Sequence, residues 1–205
     1  MSRKAYDAVL FDFDGVLLDS EPVHCDCWRE VLAPFGIRLE WDFYARHCIG
    51  IADRAMLDLL ARLADPPVDP GVLWRQYGAK NMRFRERMAA GPPFDPCLEG
   101  LLNSLRSYKL AVVTSSSRAE VEPLLCLAGL RGYFAAAVYG ETVERHKPAP
   151  DPYLLAADLL GARSALVVED SEAGEISGRA AGFDVLRVRS ATEVPARVRK
   201  HLGLD

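Results

Sequence analysis

Two aspartates, Asp12 and Asp14, stand two positions apart at the end of an apolar run that begins at Val9. In an extended segment, side chains at positions i and i+2 point to the same side, so both carboxylates are expected to share one space. At a separation of roughly 4 Å and an effective dielectric constant of ~20, two such charges repel each other by about 4 kcal/mol. The pair therefore indicates either a nearby cation or a chemical role for the two acids.

Polar side chains follow other apolar runs of the sequence in a similar way. They are Thr114, Ser115, Lys147, Glu169 and Asp170. In an open parallel sheet, ligands bind beyond the carboxyl ends of the strands, where the polar residues that follow each strand come together. These five residues are therefore predicted to meet Asp12 and Asp14 at one edge of a sheet.

The chemistry that suits this set of residues is phosphoryl transfer assisted by a metal ion. Four carboxylates and one ammonium carry a formal charge of −3, and oxygen ligands without His or Cys favour Mg²⁺ as the neutralising cation. One carboxylate can act as a covalent nucleophile, and a second can serve as general acid and then as general base. Lys147 and the Thr114 hydroxyl would hold the phosphoryl oxygens.

Four stretches of the sequence carry a resemblance to a known family. In order and spacing, DFDGVLLDS, VVTSSS, HKPAPDPY and VVEDSEAG resemble the four motifs of the haloacid dehalogenase (HAD) superfamily, over essentially the whole chain. The resemblance implies that Asp12 is the nucleophile and Asp14 the acid/base, with the backbone carbonyl of Asp14 also on the metal. It further implies that phosphate is bound by Lys147 and by Thr114, or by Ser115 if the register shifts by one residue. The implied Mg²⁺ ligands are Asp12, Asp14, Glu169 and Asp170.

The elements that must position these residues are five strands. Near-continuous apolar runs occupy residues 8–13, 110–115, 135–140, 165–170 and 184–189. Such runs are typical of parallel strands covered by helices on both faces. Helical stretches over about 118–129, 150–160 and 172–181 separate the last four runs. This alternation predicts a doubly wound α/β sheet with right-handed crossovers.

The interval from residue 17 to residue 92 breaks the alternation and contains helical patterns only. We therefore predict an α-helical cap domain at 17–92, inserted into an α/β core domain of residues 1–16 and 93–205. The insert resembles the small cap of the HAD subgroup that contains β-phosphoglucomutase and many sugar-phosphate phosphatases. His24, which matches the family pattern DSEPVH, and the cations Arg54 and Lys80 are the cap residues expected to contact an anionic substrate.

Charge and hydropathy restrict the partners of the chain. The 25 basic residues against 29 acidic residues give a net charge of −4, which favours neither nucleic acid nor an anionic membrane as a partner. The sequence reaches charged residues too early for a signal peptide, and it has no apolar run long enough to span a bilayer. A cytoplasmic enzyme that acts on a small phosphorylated metabolite is the expected outcome.

The leading functional prediction is a Mg²⁺-dependent phosphatase that hydrolyses a sugar or polyol phosphate through an aspartyl-phosphate. A β-phosphoglucomutase-like phosphosugar mutase is the alternative, supported by His24, Lys80 and the arginine that follows CIGIAD. A dehalogenase would need neither a metal nor Asp at the acid/base position, so Asp14 argues against that activity. A non-catalytic binding protein on the same fold is disfavoured because every motif position is occupied.

Overall fold

The computed structural model describes residues 6–49 and 53–204, which contain five β-strands and ten α-helices. The strands are β1 (Ala8–Phe11), β2 (Lys109–Val113), β3 (Ala136–Val138), β4 (Ala165–Glu169) and β5 (Asp184–Arg187). The helices are α1 (Glu21–Leu32), α2 (Trp41–His47), α3 (Asp53–Leu63), α4 (Pro70–Trp74), α5 (Tyr77–Ala90), α6 (Leu98–Ser104), α7 (Arg118–Leu127), α8 (Asp151–Leu160), α9 (Glu172–Ala180) and α10 (Val194–Leu202). No helix in these ranges combines the length and the apolar composition needed to cross a bilayer.

The chain divides into two compact units. The α/β unit comprises the described parts of Met1–Asp19 and Pro93–Asp205, and the helical unit comprises Ser20–Pro92. The first segment of the α/β unit ends at Asp19, three residues beyond the end at residue 16 that the sequence suggested. The N–H of Asp19 donates to the Pro93 carbonyl at 3.2 Å. This hydrogen bond ties together the two chain segments between which the helical unit is inserted.

The α/β unit is a parallel five-stranded sheet with the strand order β3-β2-β1-β4-β5, which confirms the predicted doubly wound α/β fold. All four residues of β1 are fully buried, as expected for a central strand with helices on both faces. On one face, Leu10, Val113 and Val167 pack in a single apolar cluster with Tyr153 and Leu160 of α8. The sheet therefore forms a rigid base for the residues that follow its strands.

The strands end earlier than the apolar runs suggest. β1 ends at Phe11 rather than at residue 13, and β2 ends at Val113 rather than at residue 115. The N–H of Asp12 still donates to the Val168 carbonyl at 3.0 Å, and that of Thr114 to the Val138 carbonyl at 2.9 Å. Asp12 and Thr114 are therefore hydrogen-bonded to the neighbouring strand, although both lie beyond the last paired residues of β1 and β2.

The helical unit has its own apolar core. Trp28 of α1, Leu57 of α3 and Leu73 of α4 are fully buried in one cluster, with Tyr77 of α5 packed against it. The amphipathic pattern of α3, in which Met56, Leu57, Leu60 and Ala61 are buried, accounts for this arrangement. All α-helices and strands that the structure describes between Ser20 and Pro92 are helices, namely α1 to α5.

Candidate active site

Lys147 lies at the centre of a cluster at the carboxyl edge of the sheet. Its Nζ donates to Oδ1 of Asp12 at 2.8 Å, to Oε1 of Glu169 at 2.7 Å and to the Val113 carbonyl at 2.9 Å. An ammonium group has three hydrogens to donate, so these three acceptors match its full capacity. The Lys147 side chain is only 6% exposed. The structure thus brings the predicted nucleophile and the predicted cation into direct contact.

Glu169, the last residue of β4, is fully buried and accepts five hydrogen bonds. Its Oε1 accepts from Lys147 and from the Tyr153 hydroxyl at 2.8 Å. Its Oε2 accepts from the N–H of Asp170 at 3.0 Å, and from the N–H and the hydroxyl of Ser171 at 3.1 and 3.0 Å. A buried carboxylate requires such compensation, because burial without partners would disfavour its charge. Glu169 therefore holds Lys147 beside Asp12.

Gly174 in the first turn of α9 makes room for the Glu169 carboxylate. A Cβ atom at this position would lie 1.7 Å from Oε1 of Glu169, a separation that no side chain allows. Ser171, at the N-cap of α9, fixes the same turn by accepting the N–H of Gly174 at 3.0 Å. The start of α9 is thus shaped around the carboxylate that follows β4.

Three carboxylates of this cluster can hold a metal ion. Asp12, Glu169 and Asp170 each offer an oxygen, and these oxygens lie within 4.8 Å of one another. Carboxylate oxygens are the hard donors that Mg²⁺ prefers, so the donor set fits the ion expected from the sequence. Direct ligation by Glu169 would replace at least one of its hydrogen bonds.

The electrostatics of the cluster oppose the ionised form of Asp12. Burial raises the pKa of Asp12 well above its ordinary value, and repulsion from Glu169 and Asp170 adds to this, while Lys147 opposes it. Burial would lower the pKa of Lys147, yet the Asp12 and Glu169 carboxylates raise it above its ordinary value. Burial likewise disfavours the Glu169 carboxylate, but Lys147 brings its pKa below the ordinary value. A dication bound here would lower the pKa of Asp12 and favour its carboxylate form.

Asp14 has a different partner from Asp12. Its Oδ2 accepts a hydrogen bond from the Ser116 hydroxyl at 2.7 Å, and its carboxylate does not belong to the three-carboxylate group. The expectation that both carboxylates share one space stays a prediction, and it assumed an extended backbone. The backbone instead turns after β1, where the N–H groups of Leu17 and Leu18 donate to the Phe13 carbonyl at 2.9 and 3.0 Å. The role of the Asp14 carbonyl as a metal ligand stays a prediction.

The two candidate hydroxyls of the second motif lie in different surroundings. Thr114 is buried at the end of β2, and its Oγ1 accepts the N–H of Ser116 at 3.0 Å. Ser115 is exposed. Thr114 directly follows Val113, whose carbonyl holds Lys147. This neighbourhood favours Thr114 as the phosphate-binding hydroxyl, and the assignment stays a prediction.

In the helical unit, two of the three predicted substrate residues lie together. Nζ of Lys80 is 2.8 Å from Nδ1 of His24, and the His24 ring stacks on Phe84 with centroids 4.0 Å apart. Burial and the nearby positive charge of Lys80 together lower the pKa of His24 to about 3, so the neutral ring accepts the hydrogen bond. Arg54 has a separate contact, with its guanidinium 5.0 Å from the centre of the Trp74 ring.

Some residues of the site were not found from the sequence. They are Ser116, Tyr153, Ser171 and Gly174. Ser171 carried a usable signal, since serine before a helix is a common N-cap. The contacts of Ser116 with Asp14 and of Tyr153 with Glu169 join separate segments of the chain, so no local pattern could have indicated them.

The fold and the site define the class to which the protein belongs. Residues 9–188 match the model of the haloacid dehalogenase-like hydrolases. The chain belongs to this family, which confirms the resemblance seen in the four motifs.

Curated relatives with phosphatase names align with most of the chain. The fructose-1-phosphate phosphatase YqaB of Escherichia coli is 35% identical, over 90% of this chain and 97% of its own. A phosphorylated carbohydrates phosphatase of Thermotoga maritima is 30% identical, over 87% of this chain and 82% of its own. Among solved structures, a subfamily IA HAD-superfamily hydrolase of Geobacter sulfurreducens shares 27% identity and a TM-score of 0.76, with 96% of each chain covered.

Proposed function

We propose that this chain is a Mg²⁺-dependent phosphatase that hydrolyses a sugar phosphate through an aspartyl-phosphate at Asp12. The observation that carries the proposal is the contact of Asp12 with Lys147, inside a group of three carboxylates at the carboxyl edge of the sheet. Family membership supports hydrolysis, and the phosphatase names of the relatives support a phosphate monoester as substrate.

The reaction takes place in two steps at Asp12. A carboxylate oxygen of Asp12 attacks phosphorus, the bond to the substrate oxygen breaks, and Asp14 gives its proton to that oxygen. Water then attacks the same phosphorus, Asp14 takes its proton, and the bond to Asp12 breaks. In both steps the positive charge of Lys147, whose three hydrogens are donated to Asp12, Glu169 and Val113, offsets the charge of the phosphoryl group, and the Thr114 hydroxyl donates to a phosphoryl oxygen.

The residues that would hold the metal are Asp12, Asp170 and the backbone carbonyl of Asp14, with Glu169 as a further carboxylate of the group. Mg²⁺, when bound, supplies charge neutralisation for the phosphoryl oxygens and for the crowded carboxylates.

The helical unit is proposed to act as a cap that selects the substrate. His24 and Lys80 form a buried polar pair within it, and Arg54 provides a second cation. A buried ammonium beside a neutral imidazole offers donors suited to the hydroxyl and phosphate groups of a sugar phosphate. The relatives named for fructose 1-phosphate and for phosphorylated carbohydrates support this substrate class.

The test is phosphate release from a panel of phosphorylated sugars, polyols and nucleotides, measured with Mg²⁺ and with EDTA. We expect the highest kcat/KM among the sugar phosphates and no release in EDTA. Asp170→Asn is expected to raise the Mg²⁺ concentration needed for half-maximal activity by at least about tenfold, because it removes the negative charge of a proposed metal ligand. Asp184→Asn is the matched control, because Asp184 begins β5 at the opposite edge of the sheet and accepts from Tyr6. Phosphate release that persists in EDTA would contradict the proposal.

A phosphosugar mutase is the second candidate, favoured by the contact of His24 with Lys80. Such an enzyme returns the phosphoryl group to a sugar hydroxyl instead of to water. Incubation with β-glucose 1-phosphate and a trace of the 1,6-bisphosphate separates the two activities. Glucose 6-phosphate as product would identify a mutase, whereas inorganic phosphate would identify a phosphatase.

A further inference from the structure

Ser116 makes a hydrogen bond that none of the predicted roles includes. Its Oγ donates to Oδ2 of Asp14 at 2.7 Å, and the two half-buried residues are separated by 102 positions in the sequence. Hydroxyl-to-carboxylate bonds of this length are charge-assisted and stronger than bonds between neutral groups. The contact therefore restricts the orientation of the Asp14 side chain.

The backbone of Ser116 is fixed on both sides. Its N–H donates to Oγ1 of Thr114 at 3.0 Å, and its carbonyl accepts the N–H of Gly140 at 3.0 Å. A Cβ atom at Gly140 would lie 2.4 Å from the Ser115 carbonyl oxygen, so the close approach of the two loops requires glycine there. α7 begins two residues later, at Arg118. The Ser116 hydroxyl is thus presented from a rigid turn.

We infer that Ser116 is a positioning residue that aims the Asp14 carboxyl group at the leaving oxygen of the substrate. The inference rests on the proposed function, in which Asp14 protonates the departing alcohol. A general acid must lie within hydrogen-bond reach of the atom that it protonates, so the orientation of its carboxyl group decides its efficiency. Ser116 holds one oxygen of Asp14 and thereby limits where the other can point.

The leaving group of the substrate reveals this role. An alcohol leaves as an alkoxide unless it is protonated, whereas p-nitrophenolate is stable without a proton. The ratio kcat/KM covers the steps up to alcohol release, so it reports on the acid and not on the later activation of water. Loss of acid positioning must therefore lower kcat/KM for a sugar phosphate and leave it nearly unchanged for p-nitrophenyl phosphate.

The experiment compares Ser116→Ala with the wild-type enzyme on p-nitrophenyl phosphate and on the best sugar phosphate of the panel. We expect kcat/KM for the sugar phosphate to fall by more than about tenfold, a part of the full contribution of a general acid. The aryl phosphate is expected to change less than about threefold. Ser116→Thr keeps a hydroxyl and is expected to restore the sugar-phosphate rate. Equal losses on both substrates, or no loss on either, would overturn the inference.

Two further variants separate a failure of this inference from a failure of the proposed function. Asp14→Asn removes the acid itself and is expected to show the same leaving-group dependence with a larger loss. If Asp14→Asn shows it and Ser116→Ala does not, Ser116 has no positioning role and the proposed mechanism stands. If Asp14→Asn does not show it, the acid role of Asp14 and the inference fail together. Ser117→Ala is the matched control, because its hydroxyl donates to Glu120 and not to Asp14.

Discussion

Asp12→Asn is expected to lower kcat by about 10⁴-fold or more, which is the scale of loss when a covalent nucleophile is removed. The amide is a far weaker nucleophile than the carboxylate and cannot form the aspartyl-phosphate. Its oxygen can still accept the hydrogen bond that Lys147 donates to Oδ1. Steady-state phosphate release on the best sugar phosphate measures the effect.

The same variant is expected to stay folded with a Tm close to that of the wild type. Asn keeps the shape of the side chain and an oxygen that can accept from Lys147, and Lys147 keeps its second carboxylate partner, Glu169. Asp7→Asn is the matched control, at the residue before the same strand. Asp7 precedes β1 at the opposite edge of the sheet, where its carboxylate accepts the N–H groups of Arg163 and Ser164 at 2.9 and 3.1 Å. Asp7→Asn should leave kcat unchanged. An Asp12→Asn enzyme with substantial activity would contradict the nucleophile assignment.

Lys147→Met is expected to destabilise the metal-free protein by about 3–5 kcal/mol at neutral pH, the usual consequence of removing one partner from a buried ion pair. Methionine fills the space of the lysine side chain but leaves the carboxylates of Asp12 and Glu169 without the cation that joins them. We also expect kcat to fall by about 10²–10³-fold, because the variant lacks the positive charge that we propose stabilises the phosphoryl group. Urea unfolding in EDTA and steady-state kinetics measure the two effects.

The destabilisation by Lys147→Met has a defined pH dependence. In the wild type, the pKa of Glu169 is lowered, so its carboxylate contributes stability that is present above its unfolded pKa and is lost as the pH falls. In the variant, which lacks Lys147, burial is expected to raise the pKa of Glu169, so the variant loses stability as the pH rises. The difference in unfolding free energy between the two proteins should therefore be larger at pH 8 than at pH 5. A difference that is equal at both pH values would contradict the buried charge pair.

Lys109→Met is the matched control, because it replaces a lysine that lies outside the candidate site. Lys109 begins β2, and its Nζ donates to the carbonyls of Leu160 and Gly161 at the end of α8 at 2.6 and 3.4 Å. No carboxylate accepts from it in these contacts, so its replacement should cost no more than about 1 kcal/mol. Activity and its pH dependence should stay at the wild-type level.

The sheet could be predicted from the sequence because buried parallel strands leave a simple pattern of apolar runs. The runs at residues 8–13 and 165–170 contain β1 and β4, and the polar residues that follow them lie at the expected edge. The carboxyl ends of the strands could not be located. Asp12 still makes one backbone hydrogen bond to Val168 after β1 has ended. Amino-acid composition does not show whether a residue is paired within a strand or only bonded just beyond its end.

The partners within the site could be predicted only where a motif supplied them. Lys147 was expected beside Asp12, and their contact at 2.8 Å agrees with that expectation. The five hydrogen bonds of Glu169 depend on Tyr153, Ser171 and the turn into α9, which assemble only when the sheet and its helices pack. The hydrogen bond of Asp14 with Ser116 joins two distant segments, and the turn after Phe13 that precedes the helical unit left no signal in the apolar run.

The most direct measurement of the central claim is chemical trapping of the covalent intermediate. The enzyme is quenched with acid during turnover of a sugar phosphate in the presence of Mg²⁺, reduced with borohydride and digested for mass spectrometry. Borohydride reduces an acyl phosphate to an alcohol, so we expect homoserine in place of aspartate at residue 12 and at no other position. An unmodified Asp12, or a reduced residue elsewhere, would contradict the claim.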